Sequence, residues 1–280
     1  MRVTIFGGTG LLGKAITRTW HGDALTALGS KDVDIRSPQA VERALEKYRP
    51  EWIVLAAAYT DVDGCETNQK LAFDVNTQGA IHVAEAAKIT GARLLFLSSD
   101  YVFDGEKATP YETNDVRSPR SVYGKSKADA EENLLNILPY CCIVRTSWVF
   151  GVGGKCFPDT ILRLAESHSE LEVVDDQRGS PTYTVDLAWI IRELCHRDAT
   201  GIVHATNAGD CSWFEFARYL LNEASSSTLL KPTTTDKFPR PAPRPKYSVL
   251  SPASLHRYRI EMPSWTNALQ RYLAERNSLS

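Results

Sequence analysis

The apolar positions of this chain fall into short runs, separated by longer stretches with helical spacing. Residues 3–6, 24–28, 52–58, 93–97 and 141–144 are nearly continuous apolar runs, too short for a buried helix and rich in β-branched and aliphatic side chains. Between them, residues 41–48, 80–87 and 125–137 repeat their apolar positions every three or four residues, the last stopped by Pro139. Strands without a polar face alternating with helices predict a doubly wound parallel sheet of Rossmann type, in the α/β class.

After Phe150 the rhythm changes. A Gly-rich loop at 151–154 precedes a helical stretch at 157–165, a short strand at 171–174 and a turn-rich segment at 175–181. Residues 184–197 read as a helix, 202–205 as a strand, 212–224 as an amphipathic helix opened by Ser212, and 265–276 as a final helix. Residues 231–245 carry five prolines and are expected to be an ordered loop or extended segment. The expected division is a dinucleotide-binding domain over 1–150 and about 183–207. A smaller mixed α/β substrate lid would take 151–182 and about 208–280, its segments interleaved with the sheet.

Composition narrows the class. With 280 residues, 43% hydrophobic and 24% charged, the chain suits a globular enzyme of one large or two modest domains. The net charge of -2 and the scatter of Lys and Arg give no footprint for nucleic acid. No apolar run approaches the ~20 residues a membrane span needs. A strand begins almost at the first residue, so no signal peptide is expected. Six cysteines with no C-x-x-C spacing read as reduced thiols, and a cytoplasmic location follows as an expectation. The six histidines show no metal-binding pattern, and no catalytic metal is expected.

The candidate chemistry begins at the first turn. Gly7, Gly10 and Gly13 follow a strand and open a helix, the order that lets backbone approach a pyrophosphate at a helix N-terminus. Gly7, Thr9, Gly10, Leu11, Leu12 and Gly13 are therefore assigned to a dinucleotide. The second strand ends Leu28-Gly29-Ser30-Lys31, without the acid that would hold a ribose 2′-hydroxyl of NAD. Ser30 and Lys31 could bond a 2′-phosphate instead, so NADPH is expected, with NADH the alternative; Asp34 and Ile35 are placed at the adenosine end. Tyr123 and Lys127 stand four apart, so in a helix phenol and ammonium share one face. An adjacent cation stabilises a phenolate, and proton donation to a carbonyl that is receiving hydride needs a tuned acid of this kind. Ser98, Ser99 and Asp100, upstream, can complete the site.

These stretches together, with 56–63, 98–105, 121–127, 144–150, 176–182 and 244–248, resemble the dTDP-4-dehydrorhamnose reductase family of the extended short-chain dehydrogenase/reductase superfamily, over essentially the whole chain. The resemblance implies that Tyr123 is the proton donor. Lys127 would hold the nicotinamide ribose, and Ser99 would bond the substrate carbonyl where relatives usually have Thr. It implies that Ala57, Ala58, Tyr59, Thr60 and Leu97 lie along the cofactor, and that Asp100, Trp148 and Arg145 lie at the substrate. Asn76 is implied to tie the central strands. Arg244, in the proline-rich segment, is a candidate grip for the substrate diphosphate. Dehydratases of the superfamily carry Asp-Glu after the Ser/Thr; here Tyr101 follows Asp100, which favours reduction of a dTDP-4-keto sugar over elimination. The alternatives are another nucleotide-sugar reductase or epimerase and, in a different class, a regulatory subunit of the methionine adenosyltransferase type. Some relatives bind magnesium at an acidic dimer interface. Those acidic positions are not carried over to this sequence, and interface magnesium and a homodimer are both left open.

Overall fold

The protein is described by a computed structural model covering residues 1–278. In chain order the first half runs β1 (Arg2–Phe6), α1 (Leu11–Thr19), β2 (Ala24–Leu28), α2 (Pro38–Tyr48), β3 (Trp52–Leu55), α3 (Val62–Thr67), α4 (Gln69–Phe73), a π-helical turn (Asp74–Gln78), α5 (Gly79–Thr90), β4 (Arg93–Ser99), α6 (Val122–Ile137) and β5 (Cys142–Thr146). The second half runs β6 (Val149–Phe150), α7 (Phe157–Ala165), β7 (Glu170–Val174), β8 (Arg178–Gly179), β9 (Thr182–Tyr183), α8 (Thr184–His196), β10 (Gly201–His204), β11 (Cys211–Ser212), α9 (Trp213–Glu223), β12 (Leu229–Thr233), α10 (Ala253–His256) and α11 (Trp265–Ser278).

Six strands form one sheet in the order β10-β5-β4-β3-β1-β2, and every pairing in it is parallel. The chain leaves β1 for β2 on one side and returns to β3 on the other. The C-terminal end of β1 is thus the switch point, where such sheets open a crevice for a ligand. Both faces are covered, which is why the strands read as continuous apolar runs. One core gathers Ile5, Ile16, Val54, Val144, Leu187 and Ile191 under α1 and α8. The other gathers Phe6, Val41, Ile53, Val83, Phe96 and Leu134 under α2, α5 and α6.

A third cluster, built on Phe150, Ile161, Tyr183, Phe216, Leu220 and Tyr272, holds the smaller elements together. Within it α9 is fixed by a capping box, in which Ser212 accepts from the Glu215 N–H and the Glu215 carboxylate accepts from the Ser212 N–H. The proline-rich segment is more ordered at its start than its composition suggests. Leu229–Thr233 pairs in parallel with Glu170–Val174, and Pro232 is accommodated because this two-stranded ribbon leaves one side of the strand unpaired. The stretch 62–78, which has no clear period in the sequence, folds as two short helices and the π turn.

Candidate active site

The phosphate loop explains its own glycines. Gly7 has φ +92°, and a Cβ there would lie 2.5 Å from the Ala57 nitrogen. A Cβ on Gly13 would lie 2.2 Å from the Gly7 carbonyl oxygen, so only glycine lets α1 pack this close to the turn. Gly10 caps α1 without a side-chain hydrogen bond, which leaves the first N–H groups of the helix for an anion.

From this loop a cleft of about 890 Å³ runs across the C-terminal ends of the strands. Gly7, Thr9, Gly10, Leu11, Leu12, Gly13, Ser30, Asp34, Ile35, Ala57, Ala58, Thr60, Leu97, Ser99, Asp100, Tyr123, Lys127 and Trp148 all line it. Most of the residues proposed from the sequence are therefore brought to one surface. Ser121 caps α6 by accepting from the Gly124 N–H at 3.1 Å, so the helix starts at Val122, three residues earlier than its apolar period indicates. Tyr123 and Lys127 thus share one helix face in its first turns. Ser99 arrives as the last residue of β4.

Burial governs the chemistry of this group. It pushes the Tyr123 phenol above its ordinary value, against the pull of Ser99, and nearby Asp100 adds to the rise. The free cleft therefore does not lower the phenol, as the Tyr/Lys spacing leads one to expect. Lys127 is itself buried, which lowers its ammonium to about 7, with Glu131 opposing. Its Nζ lies 4.0 Å from the centre of the Phe96 ring. Asp100 is raised to about 6 by burial, partly offset by the Ser248 and Ser99 hydroxyls. Ser99 Oγ is 2.9 Å from Asp100 Oδ1 and accepts from the Tyr101 N–H at 3.2 Å. Ser248 lies near enough to draw the Asp100 carboxyl down, yet no well-formed hydrogen bond reaches Asp100 Oδ2 or Ser248 Oγ, which leaves buried polar surface of the kind a polar ligand satisfies.

Trp148 sits at the substrate end in the left-handed region, φ +46°. Its ring stacks on Trp213 at 3.5 Å and 6°, and a Cβ on Gly179 would lie 2.6 Å from it, so the turn at 176–182 clears space for the indole. Asn76 bonds the Tyr59 N–H at 2.7 Å and carbonyl at 3.1 Å, and Ser126 Oγ at 3.0 Å. It thus ties the loop after β3 to α6 rather than strand to strand.

Four of the assigned residues lie outside the main cleft. Arg145 does not face the cleft. It is 1% exposed, and its guanidinium holds the Glu131 carboxylate at 2.7 and 2.9 Å. Lys31 is exposed outside the cleft; Arg36 lines it instead, near Ser30, and grips Asp34 with contacts of 2.6–3.0 Å. A base two residues past Asp34 was the available signal, but the loop carries it around to the cleft only in three dimensions. Tyr59 packs against Cys65 and Val122 rather than along the cofactor surface. Arg244 lines a separate cleft of about 260 Å³ and bonds Asp63 at 2.9 Å and the Ala242 carbonyl at 3.0 Å. Tyr101 walls both clefts. Lys155, Thr146 and Ser147 also line the main cleft; Thr146 and Ser147 belong to the 144–150 stretch without being singled out in it, and Lys155 has no sequence signal. Among the described residues no group of three His, Cys, Asp or Glu side chains lies together as a metal site requires, and no helix is long and apolar enough to cross a membrane.

The sequence pattern of the RmlD substrate binding domain family matches residues 1–278. The chain is 41% identical over 259 residues to a dTDP-4-dehydrorhamnose reductase of Mycobacterium tuberculosis, covering 89% of this chain and 84% of that protein. It is 39% identical over 279 residues to the spore coat polysaccharide biosynthesis protein SpsK of Bacillus subtilis, covering 99% and 98%. Its fold matches the crystal structure of the dTDP-4-dehydrorhamnose reductase of Bacillus anthracis in complex with NADP, with a TM-score of 0.96 at 37% identity, covering 98% of this chain and 99% of that one. The chain therefore belongs to the RmlD substrate binding domain family, as the order of its motifs leads one to expect.

Proposed function

We propose that this protein reduces the C4 keto group of a dTDP-4-dehydro-6-deoxy-L-hexose, converting dTDP-4-dehydrorhamnose to dTDP-rhamnose with NADPH in deoxysugar biosynthesis. The observation that carries the reading is one cleft holding Tyr123, Lys127 and Ser99 at one end of a surface that begins at the phosphate loop. The glycine loop fits a dinucleotide, since a Cβ at Gly7 or Gly13 would collide with the backbone that shapes the cradle. The N–H groups at the start of α1 would hold the pyrophosphate, Ser30 and Arg36 the 2′-phosphate, Ile35 the adenine face and Lys127 the nicotinamide ribose. When bound, NADPH supplies hydride to the substrate carbon.

Tyr123 then donates its proton to the oxygen that becomes the hydroxyl. Its raised pKa keeps the phenol protonated in the free cleft; a developing alkoxide is a strong enough base to take the proton. Ser99 has one proton to give. While Asp100 is ionised that proton is drawn to Oδ1; when Asp100 is protonated, or is engaged by a substrate hydroxyl, Ser99 can turn it to the carbonyl oxygen. Tyr101 stays a protonated phenol, raised by burial, and so supplies no carboxylate base for eliminating water. This favours reduction over dehydration, and the intact Ser99/Tyr123/Lys127 set favours an enzyme over a regulatory subunit. Arg244, held by Asp63 in the neighbouring cleft, is proposed to bind the substrate diphosphate with its remaining N–H groups. A nucleotide-sugar ligand and a cytoplasmic location complete the proposal; the six cysteines are all buried free thiols, consistent with the latter.

The test is oxidation of NADPH, followed by absorbance, with a panel of dTDP-4-keto sugars. Turnover of the L-hexulose supports the reading; no turnover of any member, with cofactor bound, overturns it. Tyr123→Phe is expected to lower kcat by ~10²–10⁴ with NADPH affinity retained.

A further inference from the structure

Tyr123, Lys127 and Glu131 succeed one another at intervals of four along α6, so the stripe that carries the acid and its lysine continues into a carboxylate. Glu131 is fully buried. Its Oε1 accepts from the Ser98 hydroxyl on β4 and from Arg145 Nε on β5 at 2.9 Å; Oε2 accepts from Arg145 Nη2 at 2.7 Å. Ser98 and Arg145 are register partners on neighbouring strands. One carboxylate therefore fastens α6 to two strands at the level of the chemistry, and one of its partners immediately precedes Ser99.

Building on the reductase reading, we propose that Glu131 is a positioning residue for the reaction. It fixes Lys127 and the end of β4 relative to each other and supplies the buried counter-charge for the Lys127 ammonium. The groups around it leave few other sources of that charge. Lys127 has Tyr123 and Glu131 four residues away on its own helix and Phe96 against its Nζ, and it lines the cleft together with Ser98, Ser99 and Asp100; Arg145 is joined to it through Glu131. Glu131 faces Arg145, with Arg117 at 3.7 Å on its outer side and His204 3.4 Å beyond Arg145. Glu131 is the carboxylate whose charge raises Lys127; Asp100, across the cleft, is neutral below about pH 6 and ionised above it, and its Oδ1 is engaged by the Ser99 hydroxyl. Two buried cations, Lys127 and Arg145, thus share the Glu131 charge, and Arg145 competes with Lys127 for it. This arrangement gives Arg145 a role without substrate contact.

The competition makes the test directional. The free protein labelled with 13Cε-lysine is titrated by NMR, so the reading depends on neither sugar nor cofactor. Glu131→Gln is expected to lower the Lys127 midpoint by about one unit, a tenfold smaller charged fraction at alkaline pH. Arg145→Gln is expected to raise it, because the rival cation is gone. Glu131→Asp retains the charge and is expected to hold the midpoint within about half a unit, even where the glutamine variant fails to fold. In turnover, Glu131→Gln should lower kcat about tenfold at pH 8 and less than twofold near pH 5.5, where Lys127 is charged in both proteins. Midpoints that stay together in all variants, or that move the same way in Glu131→Gln and Arg145→Gln, overturn the proposal and leave Glu131 as packing alone. A failed sugar assay beside shifted midpoints would instead count against the choice of substrate.

Discussion

Asp100 is 2% exposed, beside Ser99 and Tyr123, with one carboxylate oxygen unpartnered. Its pKa is raised on folding, from near 4 to about 6. A group raised in this way stabilises the fold fully below its unfolded value, and that contribution is lost as pH climbs to the folded value. Above pH 6 the folded protein therefore carries a buried charge at a cost on the order of 2–3 kcal/mol. Asp100→Asn is expected to raise the urea midpoint at pH 7.5, with the gain shrinking at pH 5, while kcat falls. An equal gain at both pH values would show that the charge is not the cause. Such a trade between stability and activity is common at functional sites. Arg36 makes a separate residue-scale prediction. Arg36→Ala should raise KM for NADPH about tenfold and leave KM for NADH nearly unchanged, since a charge-assisted hydrogen bond contributes ~1.5–3 kcal/mol.

At the scale of elements, α1 and its turn depend on a missing side chain. Gly13→Ala places a methyl against the Gly7 carbonyl, a backbone atom that cannot step aside without moving the loop. Destabilisation of ~1–3 kcal/mol is expected, with a larger loss of cofactor affinity, measured by NADPH fluorescence; unchanged affinity would mean that the loop does not set the pyrophosphate site. The π turn at 74–78 places Asn76 between the loop after β3 and α6, where an extra residue per turn redirects a side chain. Apolar periodicity marks neither feature. It locates the faces that pack, whereas these depend on backbone approach and on one wide helical turn.

Across the whole molecule, Asp63 joins the two halves. It accepts from Arg244 at 2.9 Å, lies 4.0 Å from Arg240 and receives the Ala242 N–H at 3.2 Å. These contacts fasten the proline-rich strap to the first turn of α3, beside Val62 of the main cleft. Asp63→Ala is expected to make residues 238–245 sensitive to limited proteolysis and to raise KM for the sugar nucleotide more than it lowers kcat. Resistance equal to that of the unaltered protein would show that packing of the strap suffices.

The sequence by itself determined the alternation of strand and helix, the phosphate loop and the shared face of Tyr123 and Lys127. Each is a local property: burial on both faces, a turn only glycine permits, and a spacing of one helical turn. The tertiary structure decided what depends on distant partners. Arg145 reads as a pocket cation until β4, β5 and α6 close around Glu131, after which its charge is consumed inside the protein. Lys31 and Arg36 are both bases near the end of β2, and only the path of the loop chooses between them. The tuned Tyr123 acid expected from the sequence is a matter of solvation as much as of spacing. Water exclusion, which no linear pattern records, raises the phenol and lowers the lysine together.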